Sequence, residues 1–354
     1  MIVLNDSKPK YSKLDEILEP LITNITFTNQ VSVVIDIKDV LRKFFRPDIP
    51  ITENTSLTIE EVASDIINII GHYRNYFFKN GKRSKFYLLY SEEECREITS
   101  QYPDYRYEYY QSRFYSEENA QKINIVKKAI FVISKVCEII PNVLYINTAD
   151  FDELVYFKKI VENTPKNELI FLLSNDYLLY QALNSHTFAI TIEGIRSELI
   201  SKNTAISRIL RKDDFSFSAN MLGTLFTIAG LQKYNIGNIS GFGNIRAATI
   251  IDTLLKSKRI FDCPSIEFPI DFHDLDEENK LDAIFLAYED FIKENYELVT
   301  RNLATIKHSH IVDSRIKYIS KTGTVGNLFL EINAKIFLRY PLNITMLVKG
   351  EIVY

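Results

Sequence analysis

Short apolar runs, each about the length of one strand, alternate along the chain with stretches of helical period. The runs are VSVVI (31–35), KFYLLY (85–90), NVLYI (142–146), LIFLL (169–173) and HTFAITI (186–192). Nearly unbroken apolar runs of this length belong to strands covered on both faces. Between them, Ile59 to Tyr76 and Ile123 to Ile139 repeat every three to four residues, and Asp152 to Val161 sets Leu154, Phe157 and Val161 on one helix face. Strands that alternate with helices pair in parallel through right-handed crossovers. Residues 31–195 are therefore expected to form an α/β unit, a mostly parallel sheet flanked by helices.

The rest of the chain reads differently. A short helix is expected over Tyr11 to Leu21 in an N-terminal extension, residues 1–30. After Ile192 the strand signals fade, and residues 196–310 read as a helical region. Residues 311–354 are rich in β-branched residues with Gly and Pro-Leu-Asn punctuation, the pattern of a small antiparallel β appendage. With 46% hydrophobic and 25% charged residues in 354, the composition is that of an ordinary folded protein, which excludes collagen-like, disordered and disulfide-scaffold classes. A net charge of −4 gives no global basic field, so any nucleic-acid contact must come from a local patch. The three cysteines, Cys95, Cys137 and Cys263, are too far apart for a zinc motif and fit a reducing compartment. No run of about 18 apolar residues appears, so no membrane segment is expected and the location expected is intracellular, in the cytoplasm (the host's, if the source is viral).

In open parallel sheets, ligands gather at the carboxyl ends of the strands. Asp36 directly follows the first run, Asp150 follows the third with Asp152 and Glu153 beside it, and Asp176 follows the fourth. Each has an ordinary explanation, as a helix cap or a turn residue. Together they deliver carboxylates to one edge, the oxygen donors that Mg²⁺ or Mn²⁺ prefers.

The order of these motifs resembles that of the 5′ nuclease family: flap endonucleases, bacteriophage 5′–3′ exonucleases and the 5′ nuclease domain of bacterial DNA polymerase I. VVID at 33–36 matches the end of the first family strand. Tyr102-Pro103-Asp104-Tyr105-Arg106 stands where the family has an arch segment, placed here near 79–120. Asp150-Phe151-Asp152-Glu153 matches an E-A-D-D helix start, and Asn175-Asp176-Tyr177-Leu178-Leu179-Tyr180-Gln181 partly matches G-D-x-D-L-L-Q. Residues 230–247, with Gly230, Gly237, Gly241 and Gly243, are similar to the family's glycine hairpin between two helices. The resemblance implies a PIN-like α/β core followed by a helix-three-turn-helix that grips duplex backbone rather than reading bases. It also implies a metal group of Asp36, Asp150, Asp152, Glu153 and Asp176, a catalytic role for Arg106, and a K⁺ ion at the hairpin.

The pattern is broken in places. Leu178 stands for the second aspartate of G-D-x-D, Leu231 and Tyr234 replace both aspartates of G-D-x-x-D-N, and Tyr90-Ser91 falls where another aspartate belongs. A single Mg²⁺ or Mn²⁺ ion is compatible with the acids that remain, whereas the family chemistry needs two ions about 3.5–4 Å apart. Features suited to backbone contact are kept: Gly241, Gly243 and Arg246 in the hairpin, Lys256 after it, and Lys82 and Arg83 in a stretch that mixes basic residues with tyrosines. The expected function is binding of DNA ends, flaps, nicks or junctions with nuclease activity weakened or lost, inside a replication, repair or transcription assembly docked through residues 311–354. The alternatives are an active 5′ nuclease working with one well-held ion, and a protein-interaction module that only inherits the fold.

Overall fold

The computed structural model describes residues 12–24, 26–42, 58–90, 117–148, 153–192, 197–238 and 242–256. The expected β appendage, the part of the helical region beyond residue 256 and most of the arch segment, with Arg106, lie outside the described residues.

Helix α1 (Ser12–Ile22) leads into β1 (Gln30–Asp36), followed at once by the single turn and a half of α2 (Ile37–Leu41). A long helix α3 (Ile59–Lys79) precedes β2 (Arg83–Tyr90), and α4 (Glu117–Ile139) precedes β3 (Val143–Asn147). Then come α5 (Glu153–Asn163), β4 (Leu169–Leu173), β5 (Thr187–Ile190) and β6 (Leu199–Ile200). The chain continues through α6 (Thr204–Leu210), α7 (Leu222–Ala229) and α8 (Asn244–Lys256). Each of the five apolar runs became a strand, within two residues of its expected bounds. Beyond them, β6 is a two-residue antiparallel addition past residue 195, too short to leave a periodic signal.

Strand order in the sheet is β3-β2-β1-β4-β5-β6, parallel except for β6. β1 is central, and β4 is buried along its whole length, which explains why both read as continuous hydrophobic runs. On one face, Val31, Val33 and Ile35 of β1 pack with Phe86, Phe171 and the apolar sides of α1, α3 and α4. Phe77 of α3 stacks on Phe171 with ring centroids 5.6 Å apart. On the other face, Val34, Ile170 and Leu172 share one continuous core with α5, α6, α7 and α8, so the helical region packs directly on the sheet. The start of α3 is fixed by a capping box: Thr58 Oγ1 accepts the Glu61 N–H while the Glu61 carboxylate accepts the Thr58 N–H.

The topology locates the site. From β1 the chain steps outward to β2 and β3, then returns to place β4 on the other side of β1. The loops leaving β1 and β4 therefore part in opposite directions, opening a crevice at the carboxyl edge between Asp36 and the turn Ser174-Asn175-Asp176.

Candidate functional site at the carboxyl edge

Asp36 is the last residue of β1 and the cap of α2, and only 4% of it is exposed. Its Oδ1 accepts the Asp39 N–H (3.3 Å) and its Oδ2 accepts the Ser174 hydroxyl (2.8 Å). The same Ser174 oxygen accepts the Asp176 N–H at 3.0 Å, and Tyr180 donates its hydroxyl to the Ser174 carbonyl at 3.1 Å. The turn after β4 is thus clamped to the end of β1. Asp39, one helical turn after Asp36, is also buried; its carboxylate accepts the Asn175 N–H and faces Arg42.

Glu153, at the first turn of α5, is buried and accepts the Thr148 hydroxyl (3.2 Å). Its Oε1 also pairs with Lys38 Nζ at 2.6 Å. Asp176 is the most heavily engaged acid. Its Oδ1 accepts the Leu178 N–H (3.0 Å), and its Oδ2 accepts both Lys233 Nζ (2.6 Å) and the hydroxyl of the fully buried Tyr234.

Lys233 and Tyr234 sit on a tight hairpin between α7 and α8. Leu231 and Ile236 exchange both backbone hydrogen bonds, Gln232–Tyr234 form a 3₁₀ turn, and Asn235 is left-handed at φ 55°. The hairpin depends on Gly230, at φ 71°, where a Cβ would lie 2.7–2.8 Å from the backbone of Ile236, Gly237 and Asn238. Asn238 Nδ2 donates to the Phe242 carbonyl (3.0 Å), bringing together the two sides of 239–241. Gly243 has open space where a Cβ would stand, so the local backbone does not demand glycine there. Of Gly230 and Gly243, the fold requires the first, and Gly241 lies outside the described residues.

Four carboxylates and three basic side chains, Asp36, Asp39, Glu153, Asp176, Lys38, Arg42 and Lys233, line one cleft. Crowding of like charge shows in the titration of Asp36. Burial first, then the charges of Asp39, Glu153 and Asp176, push its pKa up to about 7, against a smaller opposing effect of Lys233. Asp39 is pushed the same way, mainly by burial, with the Asn175 N–H, Lys233 and Arg42 working against it.

Of the residues singled out from the sequence, Asp36, Glu153 and Asp176 meet in this cleft, while Asp150 and Asp152 lie outside the described residues. Arg246 is exposed on α8 with its guanidinium 5.7 Å from the Phe242 ring centre. Lys82 and Arg83 are not near the acids. Lys82 is buried, its ammonium donating to the Thr28 carbonyl at 3.0 Å, so it ties the fold together instead of facing solvent as a phosphate contact would. Arg83 opens β2 beside Gln30, whereas Asp36 pairs with Leu89, about 20 Å further along the strands. Asp39, Lys38, Lys233 and Ser174 were missed. Asp39 carried a signal, being three residues after Asp36 where a helix turn returns to the same side; Lys233 lies between Leu231 and Tyr234, at positions where the resemblance drew attention to aspartates instead.

A pair of divalent ions needs open carboxylate oxygens on both sides. Here both oxygens of Asp36, Asp39 and Asp176 face donors or cations of the protein itself, and Oε1 of Glu153 faces two. Among the described residues, no three of His, Cys, Asp and Glu are grouped to hold a metal ion. Among the described residues, the carboxylates of this cleft do not by themselves fit a two-ion centre; Asp150 and Asp152 lie outside the described residues.

No family model matches the sequence, and no curated protein sequence matches it either. Solved structures do. A bacteriophage T5 flap endonuclease, as a pseudo-enzyme–product complex with DNA and metal ions, aligns over 85% of this chain and 98% of its own at 14% identity and TM-score 0.55. The T5 protein co-crystallized with metal ions aligns over 86% and 99% at 15% identity and TM-score 0.55. T5 5′-exonuclease with bound zinc aligns over 87% and 98% at 12% identity and TM-score 0.50. Sheet order, carboxyl-edge crevice and these alignments agree: the chain has the fold of the 5′ nucleases.

Proposed function

We propose that this chain is a nucleic-acid-binding protein that engages ends, flaps or junctions by the sugar–phosphate backbone and has weakened or lost phosphodiester hydrolysis. The observation that carries the reading is the state of Asp176, whose two oxygens are taken by an ammonium, a phenol and a backbone amide of the same chain. A second ion has no anchor there, and losing one of two clamps costs on the order of 10³-fold in rate. Backbone binding draws on the hairpin between α7 and α8 as a helix-three-turn-helix, on Arg246, and on the DNA present with the T5 relative. A role as one subunit of a replication, repair or transcription assembly follows from a binder that does not cut.

An active nuclease working with one Mg²⁺ or Mn²⁺ ion is the second reading, favoured by the convergence of Asp36, Glu153 and Asp176 on a single cleft. A labelled 5′-flap substrate separates the two. Saturable binding without cleavage in Mg²⁺ or Mn²⁺ is expected; metal-dependent cleavage that Asp36→Ala abolishes would establish the second. No binding to flap, nicked or duplex DNA even near 50 mM salt would remove both.

A further inference from the structure

The mismatch between this cleft and the ions carried by its structural relatives has a specific cause in the chain. We propose that Lys38 and Lys233 are resident counter-cations that hold this cleft closed to divalent metal ions. The inference rests on reading the cleft as the place of an eroded metal centre.

Both ammonium groups lie 2.6 Å from a carboxylate oxygen, Lys38 on Glu153 and Lys233 on Asp176, so each acid has its positive partner covalently attached to the fold. Neither is a loose surface chain. Lys38 lies two residues past Asp36, in the first turn of α2, and its side chain is 14% exposed. Lys233 is held on the hairpin that Gly230 makes possible, with its ammonium 5.4 Å from the Tyr234 ring centre. With Arg42, three basic groups face four acidic ones among the described residues, which offsets most of the negative charge of those four acids.

Space argues the same way. The free volume of the cleft is about 10 Å³, room for a single water. Magnesium dehydrates reluctantly and keeps several waters in a strict octahedron, so the space between these acids is too small for a hydrated ion. Hydroxyl donors such as Ser174 and Tyr234 can turn to present a lone pair to a cation, but an ammonium has none to offer. Of the three basic groups the two lysines stand nearest their carboxylates, 2.6 Å against 3.5 Å for Arg42, and are the groups assigned to exclude the metal.

Manganese alone is the probe: titration of the full chain with Mn²⁺, free ion read by electron paramagnetic resonance, with no nucleic acid present. The wild-type chain is expected to show no saturable binding up to about 1 mM. Lys233→Met, which keeps the length of the side chain and removes its charge, is expected to bind Mn²⁺ at least ~10-fold more tightly, Lys38→Met likewise, and Lys233→Arg to behave as wild type. Micromolar binding by the wild-type chain overturns the proposal without any variant. So does a folded Lys233→Met or Lys38→Met variant, checked by circular dichroism melting, that gains no affinity. Because nucleic acid is absent, failure here leaves the backbone-binding reading untouched, and loss of that reading leaves the manganese result standing.

Discussion

The two ends of the same sheet solve the burial of charge in different ways. At the amino end, Glu168 is buried with the Ser32 hydroxyl donating to it at 2.6 Å, and Lys82 is buried on the Thr28 carbonyl. Each ion there rests on a neutral hydrogen-bond partner. At the carboxyl end, four acids share one cleft, and the positive charge that offsets them arrives from α2, from the Arg42 that follows it, and from the hairpin before α8. A lone buried ion is a matter of stability, whereas a concentration of like charge calls for cations and marks the end where function is to be sought. The same contrast appears in the glycines: Gly81, before β2, and Gly230, before the Lys233 hairpin, both have positive φ, yet only Gly230 is hemmed in by backbone.

That last contrast gives the largest expected effect. Gly230→Ala must move the backbone of Ile236 to Asn238 and should destabilise by about 3 kcal/mol or more, against about 1 kcal/mol for Gly81→Ala, whose cost is φ alone. Urea unfolding of the two variants measures the difference; equal losses would mean that the hairpin is not held as described.

Next come the buried ions. Lys38→Ala takes an ammonium at 2.6 Å away from the buried Glu153 carboxylate and should cost about 3 kcal/mol, whereas Lys82→Ala forfeits one hydrogen bond to a carbonyl and some packing and should cost about 1 kcal/mol. Chemical denaturation of both variants at pH 7 tests the ranking, and a larger loss at Lys82 would reverse the contrast between the ends.

A smaller effect depends on pH. Asp36 has a folded pKa of about 7 against an ordinary 3.8, so the folded state holds the proton more tightly than the unfolded chain. Its stabilising contribution is complete below pH 4 and is lost as pH rises to about 7. Asp36→Asn removes the ionisation, and Ser174 can turn its hydroxyl to accept from the new amide. The Tm of Asp36→Asn relative to wild type should therefore be a few degrees more favourable at pH 8 than at pH 5; a constant offset would show that Asp36 is ionised throughout.

Smallest is the effect on nucleic-acid affinity. Arg246→Ala should weaken flap binding several-fold and lower the salt slope by about 1, while Arg83→Ala at the opposite end should change neither. Fluorescence anisotropy at two salt concentrations decides it, and equal losses would extend the binding surface to the amino end.

Much of the scaffold was legible in the sequence. Apolar runs such as LIFLL signalled strands buried on both faces, helical periods such as Ile59 to Tyr76 signalled their covers, and the acids after the first and fourth runs pointed to the edge where Asp36 and Asp176 meet. The sequence was silent where the decisive partner is distant in the chain. The fold buries Lys82 on the Thr28 carbonyl, where a nucleic-acid contact had been expected, and the hairpin turns the hydroxyl of Tyr234, which stands in place of an aspartate of the resemblance, onto Asp176.

What the sequence determined by itself is the set of elements and the sides they bury, because hydrophobic periodicity is local and each element carries its own. What only the tertiary structure decided is the fate of the charges at the carboxyl edge. Lys233 reaches Asp176 across 57 residues, and Lys38 meets Glu153 only because α5 begins beside the end of β1. Coulomb pairing depends on distance in space, and no local pattern records which ammonium a crossover will deliver to which carboxylate.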